Sequence, residues 1–196
     1  MYDMDGILWK QKIKWTQNLG KSLLDKEGRT LIDTELLPNY IIRKATKDDI
    51  SVLVRMRLML QIHMETVNKQ ILKHNETWEM GLPCFYCDLI DNSNSLVLLA
   101  FDKEKEQAVG MTIGQLIEDM NMGIQRYVKI NDVWVEENYR RKGICSLIVN
   151  MLMGFYKEKG IITFTLNYVI KNLEAESTWK ALGFEPIINS CVATIS

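Results

Sequence analysis

Val133-Trp134-Val135-Glu136-Glu137-Asn138-Tyr139-Arg140-Arg141-Lys142-Gly143-Ile144-Cys145 reads as a strand, a short polar loop and the opening of a helix. The helix that follows carries the clearest periodicity in the chain. Ile144, Leu147, Ile148, Met151, Leu152 and Phe155 recur at three- and four-residue steps, and Lys157, Lys159 and Gly160 mark its end. A basic turn entering a helix N-terminus makes an anion cradle, because first-turn N–H groups lack intrahelical acceptors and the helix dipole favours negative charge there. Gly143 lets backbone approach a phosphate closely, and Arg140, Arg141 and Lys142 add positive charge. Taken alone, the same turn is equally a surface loop with solvated basic residues.

Outward from this stretch, 127–135 is the strand that feeds the loop, and 161–166 is a strand after the helix. Strand, helix and strand in that order imply a parallel pair within an otherwise antiparallel sheet. Upstream, 40–45 reads as a strand. Thr46-Lys-Asp-Asp49 is a capping signature for a helix through Ile50, Leu53, Val54, Met56 and Leu60. Residues 61–92 are less regular, with a second helix expected through Met64, Val67 and Ile71 and a break at Gly81-Leu-Pro-Cys84. Strands are expected at 95–101 and 108–114, a helix at 172–182 closed by Gly183, and two short strands at 184–188 and 191–195.

Residues 1–39 differ from the rest. Trp9, Ile13, Leu19, Leu23 and Leu24, interleaved with lysines, suggest an amphipathic helix, followed by a short extended piece at 29–33 and a junction at Pro38. The expected organisation is therefore a helical N-terminal extension over 1–39 and one domain over 40–196. The extension packs on its own domain, reaches across a homodimer, or docks a membrane or partner, with packing the simplest reading.

A chain of 196 residues with 47% apolar and 25% charged residues suits one globular domain. The net charge of −1 supplies no global field for nucleic acid or an anionic membrane, so neither is an expected partner. The first residues lack the basic start and apolar core of a secretory leader, and no apolar run reaches membrane-span length. The cysteines include one close pair, Cys84-Phe-Tyr-Cys87, but a structural zinc site wants a second pair or suitably spaced histidines beyond His63 and His74, so no metal is expected and a cytoplasmic protein with reduced thiols is.

A second segment, Asn172-Leu-Glu-Ala175-Glu-Ser-Thr-Trp179-Lys-Ala-Leu182-Gly183-Phe184, adds weight to the first. Together the two resemble the GNAT superfamily of acyl-coenzyme A-dependent N-acetyltransferases. That family carries a Gln/Arg-x-x-Gly-x-Gly/Ala loop, matched by Arg140, Gly143 and, imperfectly, Cys145. It also carries an Asn-x-x-Ala-x-x-x-Tyr-x-x-x-Gly-Phe segment, matched by Asn172, Ala175, Gly183 and Phe184, with Trp179 at the tyrosine position. The likeness extends more loosely over 40–196.

The resemblance implies an α/β fold: a mixed, mostly antiparallel central sheet flanked by helices, in which the parallel strands 127–135 and 161–166 splay apart. It implies that amides of Arg141, Lys142, Gly143, Ile144, Cys145 and Ser146 hold the pyrophosphate of acetyl-coenzyme A as cosubstrate, with Arg140 beside them. The pantetheine arm would lie against Trp134 and Val135, the Val135 amide would polarise the thioester carbonyl, and Asn172 would touch the arm. Asn172 also reads simply as a helix N-cap.

For catalysis, Asp132, Glu118 and Asp119 are the candidate carboxylates to deprotonate or hold an amine, against the plainer reading of solvated strand ends. Alternation places Asp132 and Trp134 on one face of their strand. An indole cannot protonate a departing thiolate at neutral pH, so Trp179 is expected either to hydrogen-bond or pack against the cofactor's sulfur or to be an ordinary core residue. Cys145 is a small packed thiol or, through the helix N-terminus, a reactive one. His63 and His74 are expected to have surface or packing roles. The function expected is N-acetyl transfer to a primary amine by direct attack, a small-molecule amine being favoured over a protein amine. The alternative is a non-catalytic acyl-coenzyme A binding module.

Overall fold

Strict alternation along one buried strand decides how the layers stack. The computed structural model describes residues 22–24, 30–33, 37–71, 73–121 and 123–191. Its strands form one sheet in chain order: β1 (Ser22–Leu24), β2 (Thr30–Asp33), β3 (Tyr40–Lys44), β4 (Ser95–Asp102), β5 (Gln107–Glu118), β6 (Arg126–Val135) and β7 (Phe164–Leu166). The helices are α1 (Ile50–Val67), α2 (Glu76–Asp91), α3 (Ile144–Glu158) and α4 (Leu173–Ala181). On β4, Leu96, Leu98 and Ala100 join the core beneath α3 and α4, whereas Val97 and Leu99 join the core beneath α1 and α2. A strand buried on both faces reads as a continuous apolar run, as Leu96–Phe101 does.

Every neighbouring pair is antiparallel except β6 and β7, which run parallel. Their pairing covers Val128↔Phe164 to Ile130↔Leu166 and then stops, while β6 continues to Val135. The mixed sheet, the flanking helices and the diverging parallel pair agree with the sequence. At Gly114 a Cβ would lie 2.9 Å from Leu152 and Tyr156 side-chain atoms. Glycine there lets α3 sit close on the sheet, where Tyr156 Oη donates to the Gly114 carbonyl at 2.8 Å.

A β-bulge interrupts β6. Asn131 pairs with Ile113 and Trp134 with Met111, so two residues, Asp132 and Val133, oppose Thr112 alone. Asp132 takes a left-handed φ of 44°. The extra residue reverses the alternation: Val128 and Ile130 face α3, but Trp134 faces α1 and α2.

Several expectations need correction. α1 runs unbroken through Val67, and the next helix begins at Glu76, where the Asn75 side chain accepts from the Trp78 amide. That helix passes straight through Gly81 and Pro83. Burial of Leu82, Tyr86 and Leu89 at helical spacing outweighs the propensity cost of both residues. Leu23 and Leu24 lie in β1, paired with β2 at the sheet edge, rather than in a helix; Trp9 to Leu19 lie outside the described residues. Thr30–Asp33 is extended, as expected. No strand forms over 184–191, where Pro186 lacks a ladder N–H and Ile187 and Ile188 are exposed; the second expected strand continues outside the described residues.

The link from β3 to α1 is electrostatic. Arg43 donates to both carboxylate oxygens of Asp49 at 2.7 and 2.8 Å, and Asp49 accepts from the Thr46 amide at 2.8 Å, completing the capping box expected there. Burial alone raises the Asp49 carboxyl, but the Arg43 and Thr46 hydrogen bonds outweigh it and hold the group below its ordinary value. A carboxylate lowered by folding stabilises above its unfolded value, near about 3.9, and loses that contribution as pH falls through the folded value. Asp49→Asn should therefore cost about 2–4 kcal/mol at neutral pH. In denaturant titrations the gap from the wild type should close at acid pH, on the low side of that range.

Candidate active site

Where β6 loses its partner, a cavity of ≈ 460 Å³ opens. One wall is β6 itself from Ile130 to Val135, and the opposite wall is Leu166 to Val169 after β7. Its floor is the start of α3 at Gly143, Ile144, Cys145 and Ser146, together with Asn172, Ala175 and Trp179 at α4. Leu60, His63 and Met64 of α1 line the side above the sheet.

The α3 end of the cavity presents helix-start amides that no side chain caps. Gly143 is the N-cap with φ of 83°, no side chain caps it, and the first helical bond runs from the Leu147 amide to the Gly143 carbonyl. A left-handed φ suits glycine, and the absent side chain leaves the amides approachable. Arg141, also left-handed at φ 57°, lines the cavity. Lys142 does not line it; its ammonium lies 4.9 Å from the Tyr139 ring centroid.

Arg140 is committed within the protein. Its Nε donates to the Val135 carbonyl at 3.2 Å, its Nη1 reaches Glu174 at 3.5 Å, and its guanidinium lies 4.7 Å from the Trp134 ring centroid. It thereby ties the loop to β6 and α4. Tyr139 anchors the same loop from behind, donating to Asp102 at 2.9 Å and accepting from Gln107 at 2.9 Å.

Asp132 faces the same side as Trp134, as alternation over that short stretch predicts, but it is not a free base. Arg57 Nε pairs with one oxygen at 3.2 Å, and Tyr86 Oη donates to the other at 3.1 Å. Burial raises the Asp132 carboxyl, opposed by the Arg57 charge and the Tyr86 hydrogen bond; burial also drives the Tyr86 phenol upward, so it remains a donor. Glu118 and Asp119 lie away from the cavity. Glu118 pairs with Arg126 at the far end of β6 at 3.0 Å, and Asp119 accepts from the Asn121 amide in a turn.

Trp179 is buried, edge-to-face with Phe184 at 5.9 Å, and its indole N–H has no acceptor among the described residues; the same holds for Trp134. Asn172 caps α4, its Oδ1 accepting from the Ala175 amide at 3.0 Å. Cys145 packs against the α3-side core, and burial, with Glu174 adding to it, pushes the thiol up to about 12. That direction runs against a reactive thiol at this helix end. His74 stacks on Trp78 at 4.0 Å, outside the cavity.

Sequence reasoning missed His63, Tyr168 and Glu174 as cavity residues. A signal for His63 was present: Leu53, Met56, Leu60 and His63 follow three- and four-residue steps along α1, so the imidazole ends the buried stripe. No comparable signal marked Tyr168.

The chain matches the model of the acetyltransferase (GNAT) family over residues 61–184, and it belongs to that family. No curated protein matches it. Among solved structures it is similar to a predicted acetyltransferase of Clostridium acetobutylicum determined with acetyl-CoA, at 20% identity over 79% of this chain and 96% of that one, with a TM-score of 0.64. A mutant of a Bacillus halodurans protein aligns at 21% identity, 79% and 99% coverage and a TM-score of 0.70. An aminoglycoside antibiotic 6'-N-acetyltransferase of Acinetobacter baumannii aligns at 17% identity, 80% and 98% coverage and a TM-score of 0.60. At these identities it is the structural superposition, with TM-scores from 0.60 to 0.70, that shows a shared fold.

The cysteines give a direct check on the cavity floor. Brief alkylation at neutral pH, read by peptide mass spectrometry, should label the exposed Cys84 and Cys191 first and Cys145 last. Rapid labelling of the half-buried Cys145 would contradict its upward-shifted thiol.

Proposed function

We propose that the protein is an N-acetyltransferase that moves an acetyl group from acetyl-coenzyme A to the primary amine of a small molecule by direct attack. One observation carries the reading: a single cavity joins the unpaired edge of β6 to the uncapped N-terminus of α3. An arm rich in amides suits the first, and a pyrophosphate suits the second. The residues present fit coenzyme A: Arg141 and the amides from Gly143 to Ser146 for the pyrophosphate, Trp134, Val135 and Asn172 for the arm. Bound there, the cosubstrate supplies an activated acyl thioester.

The protein's own contribution is holding and orientation. Asp132, clamped by Arg57 and Tyr86, fixes the bulge that turns the strand's polar groups, and the Val135 amide is the candidate to polarise the acyl carbonyl. Trp179 offers no acidic proton. Tyr139 is bound to Asp102 and Gln107, so Tyr168 is the phenol of the cavity wall available as a proton donor.

The acceptor end is apolar and aromatic, with Leu60, His63, Met64 and Trp134, and its carboxylates are already paired, Asp132 with Arg57 and Glu174 with Arg140. That chemistry favours an amine with an apolar body over a polycation. A non-catalytic binding module is the second reading, favoured by Trp179 at the tyrosine position of the motif the sequence resembles. Coenzyme A release with phenethylamine, spermidine and an aminoglycoside separates the two. Turnover is expected with phenethylamine above spermidine; acetyl-coenzyme A binding without turnover across a broad amine panel would favour the module.

Gly143 tests the cofactor end. Gly143→Asp adds a charge and a side chain beside the pyrophosphate and should weaken acetyl-coenzyme A binding by about 100-fold or more. Gly143→Asn, which tolerates a left-handed φ and adds no charge, should lose less. Equal affinities for the wild type and Gly143→Asp in calorimetry would remove this end of the site.

A further inference from the structure

We infer that His63 is the base that takes the proton from the acceptor ammonium, an inference that rests on the proposed transfer reaction. The imidazole lines the cavity on the α1 side, its ring edge-to-face with Trp134 at a centroid distance of 5.8 Å. Trp134 directly precedes Val135, the residue proposed to meet the acyl carbonyl. The ring therefore borders the place where an amine must arrive.

The neighbouring Asn172 fixes which nitrogen is available. Asn172 Oδ1 is committed to the Ala175 amide, so its Nδ2 faces His63 and donates to Nε2 at 3.5 Å. Nε2 thus carries the lone pair and Nδ1 the proton. A hydrogen bond this long is weak and easily exchanged for a closer partner.

The charged surroundings agree. Burial lowers the His63 imidazole, Arg140 lowers it further, and Glu174 and Glu137 oppose both. These influences favour the neutral ring, whose lone pair is free, and Glu174 and Glu137 are the groups that would support the imidazolium once a proton arrives. No other described side chain in the cavity combines these properties: Asp132 has both oxygens engaged, and Glu174 pairs with Arg140.

The proton balance closes. The acceptor enters as R–NH3+ and gives one proton to Nε2. Its nitrogen then forms the C–N bond as the C–S bond breaks, a second proton passes to the departing sulfur, and the third stays on the amide. The imidazolium returns its proton to solvent.

The test uses the full chain and His63→Gln and His63→Ala variants. Acetyl-coenzyme A affinity is measured first. The chain has only two histidines, so nitrogen-detected imidazole NMR, assigned with His74→Gln, reads His63 without turnover. His63 should titrate below the ordinary value of about 6.5, carry its proton on Nδ1, and shift on addition of acetyl-coenzyme A. kcat/KM is then followed against pH with whichever of phenethylamine, spermidine and the aminoglycoside reacts fastest. Both variants should keep acetyl-coenzyme A affinity, lose about 100-fold in kcat/KM, and lose the acid limb of the profile assigned to His63. An acid limb preserved in His63→Gln, or near-normal turnover, would overturn the role of His63 while leaving the transfer reaction standing. Wild-type protein that fails to bind acetyl-coenzyme A would overturn both.

Discussion

The site depends on one thing the sheet does not do: β6 stops pairing with β7 after Ile130. Parallel strands of ordinary length would close over each other and bury their edges. Here β7 is only Phe164–Leu166, and the chain then turns away through Asn167, Tyr168 and Val169. Residues 131–135 keep a polar backbone edge facing a cavity instead of a neighbour. The bulge at Asp132 reinforces this, because it re-aims Trp134 toward α1 and breaks the regular ladder on the β5 side as well.

Across the sheet and at that opening, several arginines are held in closed ion pairs. Arg43 holds Asp49, Arg57 holds Asp132, and Arg140 holds Glu174 while also reaching the Val135 carbonyl and the Trp134 ring. Each arginine joins two elements that are distant in sequence or turn sharply. The fork geometry of guanidinium suits this, since it can serve a carboxylate and a second acceptor or ring together. The uncommitted polarity lining the cavity includes the free edge of β6, the first amides of α3, the Trp134 and Trp179 indoles, Arg141 and Tyr168.

What could be read from the sequence was mostly local. The α3 stripe from Ile144 to Phe155, the anion turn at Gly143, the Asn172 cap and the Thr46–Asp49 box each depend on residues a few positions apart, and each formed as expected. The failures came where distant contacts decide. α2 tolerates Gly81 and Pro83 because Leu82, Tyr86 and Leu89 are buried by the sheet, and no local rule contains that sheet. The bulge depends on the register between β5 and β6, which alternation within β6 cannot supply. Glu118 was misplaced for the same reason: the length of β5 carries it to Arg126, at the end of β6 opposite the cavity. His63 was given a surface or packing role because its stripe was followed only as far as Leu60.

An open strand edge also couples stability to composition of the medium. Backbone groups at 131–135 that find partners only in a bound molecule make the folded state a receptor in the thermodynamic sense. Mass action then raises the unfolding free energy with the logarithm of ligand concentration, by about 2.7 kcal/mol at a hundredfold excess over the dissociation constant. The melting temperature of this protein is therefore a function of what surrounds it. If the proposed transfer holds, measured robustness of the fold becomes, in part, a reading of cosubstrate supply.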